Sequence, residues 1–383
     1  MVSQIDTCPR SSTIGFIGLG AMGGPMAVNI YTKAWKAAQD YIAQGKQSTI
    51  PRMAICELSD KNADLFMDTI RIQIGEEAAS RITRVDSPRE LSECASRIVT
   101  VLPATKHVEE VYLGENGLIA GLDAADKSMT LAKANNSSPW WLAAAHGEIP
   151  EETTGAHTLF VDSTTLDPVA AKRVADIVHE RTRNRALMAD GPVSGATAGA
   201  SAGTLTVMLG ATDKFTAANA TALMQFCSRE GGVVYCGGNG AGIGLKVCNN
   251  LILSINQIAL AEGLALGKAL NLDPIILNDV FNTSSAQSWS SSKYSPLPQI
   301  EGGRGILDYE GFAVANMIKD VTLGLSVAET VGLPTAMLST AKKVYDDVVA
   351  YDNGRLAGKD FSVTYKWLNE LQAKNVAAKA SHP

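Results

Sequence analysis

The chain has 383 residues, 46% of them hydrophobic and 19% charged, with a formal net charge of −6. At about 150 residues per domain the length predicts two to three domains, and the apolar content excludes a chain disordered throughout. The 39 Asp+Glu against 33 Lys+Arg argue against nucleic acid or an anionic membrane as main partner, and leave room for a small anionic substrate held by one cation. The 34 glycines, about 9% against a typical ~7%, point to many tight turns and close backbone approaches.

The six cysteines (Cys8, Cys56, Cys94, Cys227, Cys236, Cys248) form no CxxC pair, and the five histidines (His107, His146, His157, His179, His382) have no metal-binding spacing. Free thiols and no built-in metal site are expected. No stretch of about 18 uninterrupted apolar residues is present, so no membrane span is expected. The opening MVSQIDTCPRSS does not read as a signal or transit peptide. These features predict a soluble intracellular protein of the cytoplasm or mitochondrial matrix.

In chain order, a buried strand is predicted at 13–18, then a glycine-rich turn and a helix to about Trp35. Strands follow at 53–57, 96–103 and 158–162, a helix at 168–181, and strands at 204–210 and 232–237. Strands alternating with helices predict parallel βαβ units. Beyond Gly242 only helical periodicity recurs, near 245–270, 274–282, 312–332, 334–351 and 361–377. The fold class expected is an α/β Rossmann-type N-terminal domain, 1–239, followed by an all-α substrate and oligomerisation domain, 240–383. Lys33–Pro51 and about 126–156, the latter with Trp140, Trp141 and Pro150, read as insertions decorating the surface of the first domain.

Gly18, Gly20 and Gly23 fit GxGxxG directly after a strand and directly before a helix. In such a loop the glycines serve the turn, close approach to a diphosphate, and helix–strand packing. The backbone of Gly18, Leu19, Gly20, Ala21 and Met22 would cradle the diphosphate of a dinucleotide at the helix N-terminus; a plain glycine turn is the alternative. Glu57 ends the second strand, where a carboxylate accepts hydrogen bonds from the adenosine ribose and repels a 2′-phosphate. NAD is preferred over NADP on that ground. Glu57 lies further from the loop than the usual ~20 residues, which the 33–51 insertion would account for, and an ordinary surface carboxylate is the other reading.

Lys246 and Asn250 are four residues apart on a predicted helix, so they share a face, among the apolar Leu245, Val247, Leu251 and Ile252. Loss of solvation would lower the lysine's pKa toward neutrality and suit it to proton exchange. A lysine reaching solvent beside a structural Asn fits the spacing equally well.

Five segments together, GFIGLGAMGGPMAVNI (15–30), VLPATKHVEEVY (101–112), FVDSTTLDP (160–168), DGPVSGATAGASAGTLTVMLGA (190–211) and GAGIGLKVCNN (240–250), resemble the β-hydroxyacid dehydrogenases. Residues 281–296, 311–325 and 359–368 resemble the members acting on short 3-hydroxy acids. The resemblance spans nearly the whole chain. It implies Lys246 as catalytic general acid/base, Asn250 as substrate partner, and Ser194 with Gly195 as the loop holding the substrate carboxylate. It implies Leu102 and Pro103 as a cofactor-contacting turn, Thr165 near the nicotinamide, and Lys319 as a cofactor-side lysine. For Thr165 and Ser194 the alternative is a turn-forming hydroxyl. Two positions depart from the family: Ala196 replaces a second glycine after Ser-Gly, and His107 stands where relatives often carry Asn. The resemblance further implies NAD-dependent oxidation of a short 3-hydroxy acid by a homodimer or homotetramer. The rivals are a sibling activity on another short acid and a non-catalytic cofactor-binding scaffold, against which the retained Lys246 argues.

Overall fold

A computed structural model describes residues 10–44, 50–122 and 158–380. Chain contacts divide it into two units, Met1–Lys246 and Val247–Pro383.

The first unit is built on one sheet. Its strands are β1 (Thr13–Ile17), β2 (Arg52–Cys56), β3 (Ile82–Arg84), β4 (Arg97–Thr100), β5 (Thr158–Asp162), β6 (Ala186–Asp190), β7 (Val193–Ser194), β8 (Leu205–Ala211) and β9 (Ser228–Gly237). β3, β2, β1, β4, β5 and β6 lie side by side in that order, all parallel. β8 then runs antiparallel to β6 and β7 and parallel to β9. The chain doubles back between β1 and β4, the switch point at which open α/β sheets bind ligands beyond the C-terminal strand ends. β1 and β5 are buried at every residue, which is why both read as continuous apolar runs rather than alternating ones.

Three strands escaped the sequence reading. β3 is a three-residue edge strand with two exposed positions. β6, Ala-Leu-Met-Ala-Asp, is composed of helix formers and owes its conformation to the strands on either side. β7 is only two residues long.

Residues 33–43 are not a surface insertion. They are the C-terminal half of α1 (Gly23–Ala43), which buries Ala34, Trp35 and Ala38 in the same core as Phe16, Ile30, Tyr31 and Val161. The proposed insertion at 126–156 lies outside the described residues, as do Cys8, His146, His157 and His382. Further helices among the described residues of this unit include α2 (Asp60–Ile74), α3 (Glu76–Ala79), α4 (Pro88–Cys94), α5 (Thr105–Leu113), α6 (Pro168–Thr182), α7 (Ala196–Ala202) and α8 (Lys214–Met224).

α9 (Ala241–Ala269) begins in the first unit and continues into the second. By length and composition alone α9 passes the test for a membrane-crossing helix, with a mean hydropathy of 1.3 over its best window, as core helices of soluble proteins also do. It also carries Lys246, Asn249, Asn250, Asn256, Gln257 and Glu262, a polar content typical of a helix with one face at a site. The second unit continues with α10 (Pro274–Thr283), α11 (Trp289–Lys293), α12 (Val314–Thr330), α13 (Ala336–Ala350) and α14 (Thr364–Ala380). Among its described residues the only extended pairing is the isolated bridge between Ala313 and Asp360. Its core gathers Ile258, Tyr294, Met317, Val321, Tyr345 and Phe361. Buried Asp360 ties three segments together, accepting from the Tyr294 hydroxyl at 2.7 Å, Phe312 N–H at 2.6 Å and Ser362 N–H at 2.9 Å.

Candidate active site

The glycine loop leaves the end of β1 in a conformation that side chains oppose. Gly18 has φ +89°, and a methyl there would overlap the Val101 carbonyl oxygen; one on Gly23 would overlap the Gly18 carbonyl oxygen. Gly20 differs: a methyl there would meet nothing within 4 Å. Two glycines are thus required by the protein itself, while the third faces open space. Met22 precedes α1 without a capping side chain, so the first helical N–H groups receive no cap from it.

Glu57 follows β2 and turns its carboxylate back onto this loop. One oxygen accepts the Leu19 N–H at 2.5 Å and the other the Ser59 N–H at 2.8 Å. The two candidates separated by 38 residues therefore meet, because the long α1 occupies the chain between β1 and β2. Arg84 on β3 donates to the Glu57 carbonyl at 2.8 Å and to Asp60 at 2.7 Å, so its charge is engaged by a neighbouring carboxylate.

Leu102 and Pro103 form the turn after β4, and Thr165 lies in the turn after β5. Thr164 joins the two, its hydroxyl accepting the Leu102 N–H at 2.9 Å. Beneath them lies buried Asp162, whose Oδ1 accepts from the Thr100 hydroxyl at 2.8 Å and from Thr164 N–H at 3.1 Å. Burial raises its pKa to about 6 against the opposing pull of these hydrogen bonds. Its register partner on β6, Asp190, is also buried. Asp190 accepts Gly240 N–H at 2.7 Å and Ile243 N–H at 3.0 Å, and so fastens the start of α9, the helix that bears Lys246. Burial raises its pKa as well, opposed by those backbone donors.

Ser194 and Gly195 stand at the exit of β7, with Gly195 at φ +139°. The next residue, Ala196, adopts φ +55°, a left-handed conformation that favours glycine and strains a residue with a Cβ. Lys246 is half-buried on α9. The apolar wall expected around it is incomplete within the chain, since Leu245 and Ile252 are 45% and 58% exposed. In the second unit Asn250 is buried and donates from Nδ2 to Asp320 Oδ2 at 2.7 Å. Lys319 lies beside this pair, its Nζ 3.6 Å from Asp320 Oδ1.

Asp162, Thr164, Asp190 and Asp320 were missed in the sequence. The first three stand inside quoted motifs, and a carboxylate within an otherwise apolar strand end was the available signal. Asp320 too stands inside a segment that carries the resemblance, 311–325, but there it follows Lys319 in an ordinary helical pattern. Among the described residues no group of His, Cys, Asp or Glu is arranged to hold a metal ion.

Two family models match the chain. One is the NAD-binding domain of 6-phosphogluconate dehydrogenase, over residues 13–139 and 143–237; the other describes NAD binding of NADP-dependent 3-hydroxyisobutyrate dehydrogenase, over residues 240–368. A probable mitochondrial 3-hydroxyisobutyrate dehydrogenase of Dictyostelium discoideum is 34% identical, covering 94% of this chain and 92% of that protein. The chain belongs to the 3-hydroxyisobutyrate dehydrogenase family. The mouse 3-hydroxyisobutyrate dehydrogenase is 32% identical, covering 95% of this chain and 90% of its own. An NAD-dependent L-serine dehydrogenase of Pseudomonas aeruginosa is 30% identical, covering 94% and 99%. The solved structure of Mycobacterium tuberculosis 3-hydroxyisobutyrate dehydrogenase with L-serine superposes with a TM-score of 0.66 at 25% identity, covering 93% of this chain and 99% of that one. As a member of the 3-hydroxyisobutyrate dehydrogenase family the chain is an oxidoreductase acting on CH–OH, and its first unit is an NAD-binding Rossmann-type fold. The loop fits the cofactor: the open space before Gly20 and the uncapped start of α1 are what a diphosphate needs.

Proposed function

We propose that this enzyme oxidises 3-hydroxyisobutyrate to methylmalonate semialdehyde with NAD, the reaction of valine catabolism. The observation that carries the reading is the Lys246–Asn250 pair, one turn apart on α9, with Asn250 held by buried Asp320. Lys246 Nζ takes the proton of the substrate hydroxyl in oxidation and returns it in reduction. Asn250, its amide oriented by Asp320, positions that hydroxyl. Ser194 Oγ and the backbone of Gly195 donate to the substrate carboxylate.

NAD, when bound, accepts the hydride leaving the carbinol carbon. Gly18, Leu19, Gly20, Ala21 and Met22 hold its diphosphate, and Glu57 the adenosine ribose, where a carboxylate disfavours the 2′-phosphate of NADP. Leu102, Pro103, Thr165 and Lys319 complete the cofactor contacts. Residues 1–239 thus carry the cofactor contacts other than Lys319, and residues 240–383 serve assembly and, together with Ser194 and Gly195, the substrate. Exposed apolar side chains on the second unit, Leu266, Leu270, Leu272 and Ile276 among them, support a homodimer or homotetramer. The curated relatives named mitochondrial support a matrix location.

A second reading is a sibling specificity, favoured by the L-serine dehydrogenase relative, since L-serine offers the same carboxylate and primary 3-hydroxyl. NAD reduction by the purified protein, followed at 340 nm against 3-hydroxyisobutyrate, L-serine, other short 3-hydroxy acids and their semialdehydes in reverse, separates the readings. The highest kcat/KM is expected with 3-hydroxyisobutyrate. A higher value with L-serine makes the sibling reading correct, and no turnover with any 3-hydroxy acid overturns the 3-hydroxy acid reading.

A further inference from the structure

Asp162 is an expensive residue for its place. It is 1% exposed at the last position of a fully buried strand, beside a second buried carboxylate, Asp190, and below the buried phenol of Tyr112. A carboxylate in such surroundings persists only when hydrogen bonds compensate its lost hydration. Its partners are specific. The Thr100 hydroxyl, at the end of the neighbouring β4, donates to Oδ1 and lies 2.9 Å from the Tyr112 hydroxyl. Thr164 contributes its N–H to Asp162. The Thr164 hydroxyl accepts the Leu102 N–H at 2.9 Å. The chain of bonds runs from the strand ends upward into two turns: Asp162 to Thr164, and Thr164 to the turn of Leu102 and Pro103.

We propose that Asp162 is a positioning residue that, through Thr164, clasps the turn of Leu102 and Pro103 to the turn of Thr164 and Thr165 and so fixes the nicotinamide side of the cofactor site. This rests on the assignment of Leu102, Pro103 and Thr165 to the cofactor. The clasp acts on those turns and not on the glycine loop, which is held separately by Glu57. Its loss weakens the grip on the nicotinamide half of NAD and leaves the adenosine diphosphate half in place.

The test compares NAD with ADP as ligands of the full-length enzyme, by calorimetric titration, alongside the unfolding midpoint. In Thr164→Val the dissociation constant for NAD is expected to rise about tenfold while that for ADP stays within about twofold, and Thr164→Ser, which keeps the hydroxyl, should restore NAD binding. Asp162→Asn, which keeps Oδ1 and removes the charge, should raise the NAD constant by a smaller factor, about threefold, and answers the question should the valine variant fail to fold. Equal weakening of ADP and NAD would show a merely structural role and overturn the clasp. So would unchanged NAD binding in Thr164→Val while Leu102→Ala weakens it. If Leu102→Ala also leaves NAD binding unchanged, the assignment of that turn to the cofactor fails, and the clasp with it.

Discussion

Gly20→Ala separates what the fold requires of the glycine loop from what the cofactor requires. A methyl at this position meets no protein atom within 4 Å, and the φ of Gly20 lies outside the left-handed region. The substitution should leave the protein as stable as before, or more stable by about 0.4–1 kcal/mol, because alanine restricts the unfolded chain. If the open space is where the diphosphate approaches the backbone, the methyl lies in the way of that approach. Losing two charge-assisted hydrogen bonds to the phosphates costs about 3 kcal/mol, roughly a hundredfold in the dissociation constant for NAD. Gly23→Ala is the contrasting control: its methyl overlaps the Gly18 carbonyl oxygen and comes within 3.3 Å of Phe16, so the fold itself should lose about 1–3 kcal/mol. Urea unfolding and calorimetric titration with NAD measure the two quantities independently. A Gly20→Ala protein that is stable and binds NAD as tightly as the wild type would refute the placement of the diphosphate.

Lys246→Ala should lower kcat by at least about a hundredfold, the low end of general acid–base contributions, with the dissociation constant for NAD within a few-fold of wild type; retained turnover removes the lysine from the chemistry. Glu57→Gln keeps an acceptor for the Leu19 N–H but removes the charge, so the ratio of kcat/KM for NADP over NAD should rise about tenfold, and an unchanged ratio would dissociate Glu57 from cofactor choice. Ala196→Gly should stabilise the fold by about 1 kcal/mol by relieving φ +55°, read as a rise in the unfolding midpoint; no rise would mean the local backbone carries no strain. Burial raises the Asp162 pKa from 3.8 to about 6, so its protonated form is the one the fold favours. That contribution is complete below about pH 3.8 and lost as pH rises through 6. Wild-type stability relative to Asp162→Asn should therefore fall by about 2 kcal/mol between pH 4 and pH 7, and a constant difference would show that burial does not shift this group.

Much of the cofactor half was legible because β1, β2, β4 and β5 are buried almost throughout and so appear as short apolar runs, and because Gly18, Gly20 and Gly23 sit where the first strand passes into a helix. What escaped was decided by partners distant in sequence. Nothing in Ala186–Asp190 indicates a strand until β5 and β8 lie beside it. Residues 33–43 read as decoration because a helix was assigned an ordinary length, whereas α1 extends over 21 residues and buries Trp35. The same extension accounts for the distance between the glycine loop and Glu57, which spacing alone left ambiguous. Asp320 lay beyond reach for a different reason: its importance comes from one hydrogen bond to a residue 70 positions earlier.

Two features beside the proposed chemistry break local rules. Ala196 takes a glycine conformation directly after Ser194 and Gly195, and Asp162 and Asp190 place two carboxylates side by side in a buried sheet end. Neither feature helps the fold by itself, since strain and buried charge both oppose it. Each carboxylate is instead engaged by donors from outside the strands: Asp162 by the turn after β5, Asp190 by the first turn of the helix bearing Lys246. A sheet end serving only stability would be better filled by apolar side chains. One built from acceptors can hold several turns at fixed positions relative to one another, as hydride transfer demands of the surfaces that orient it.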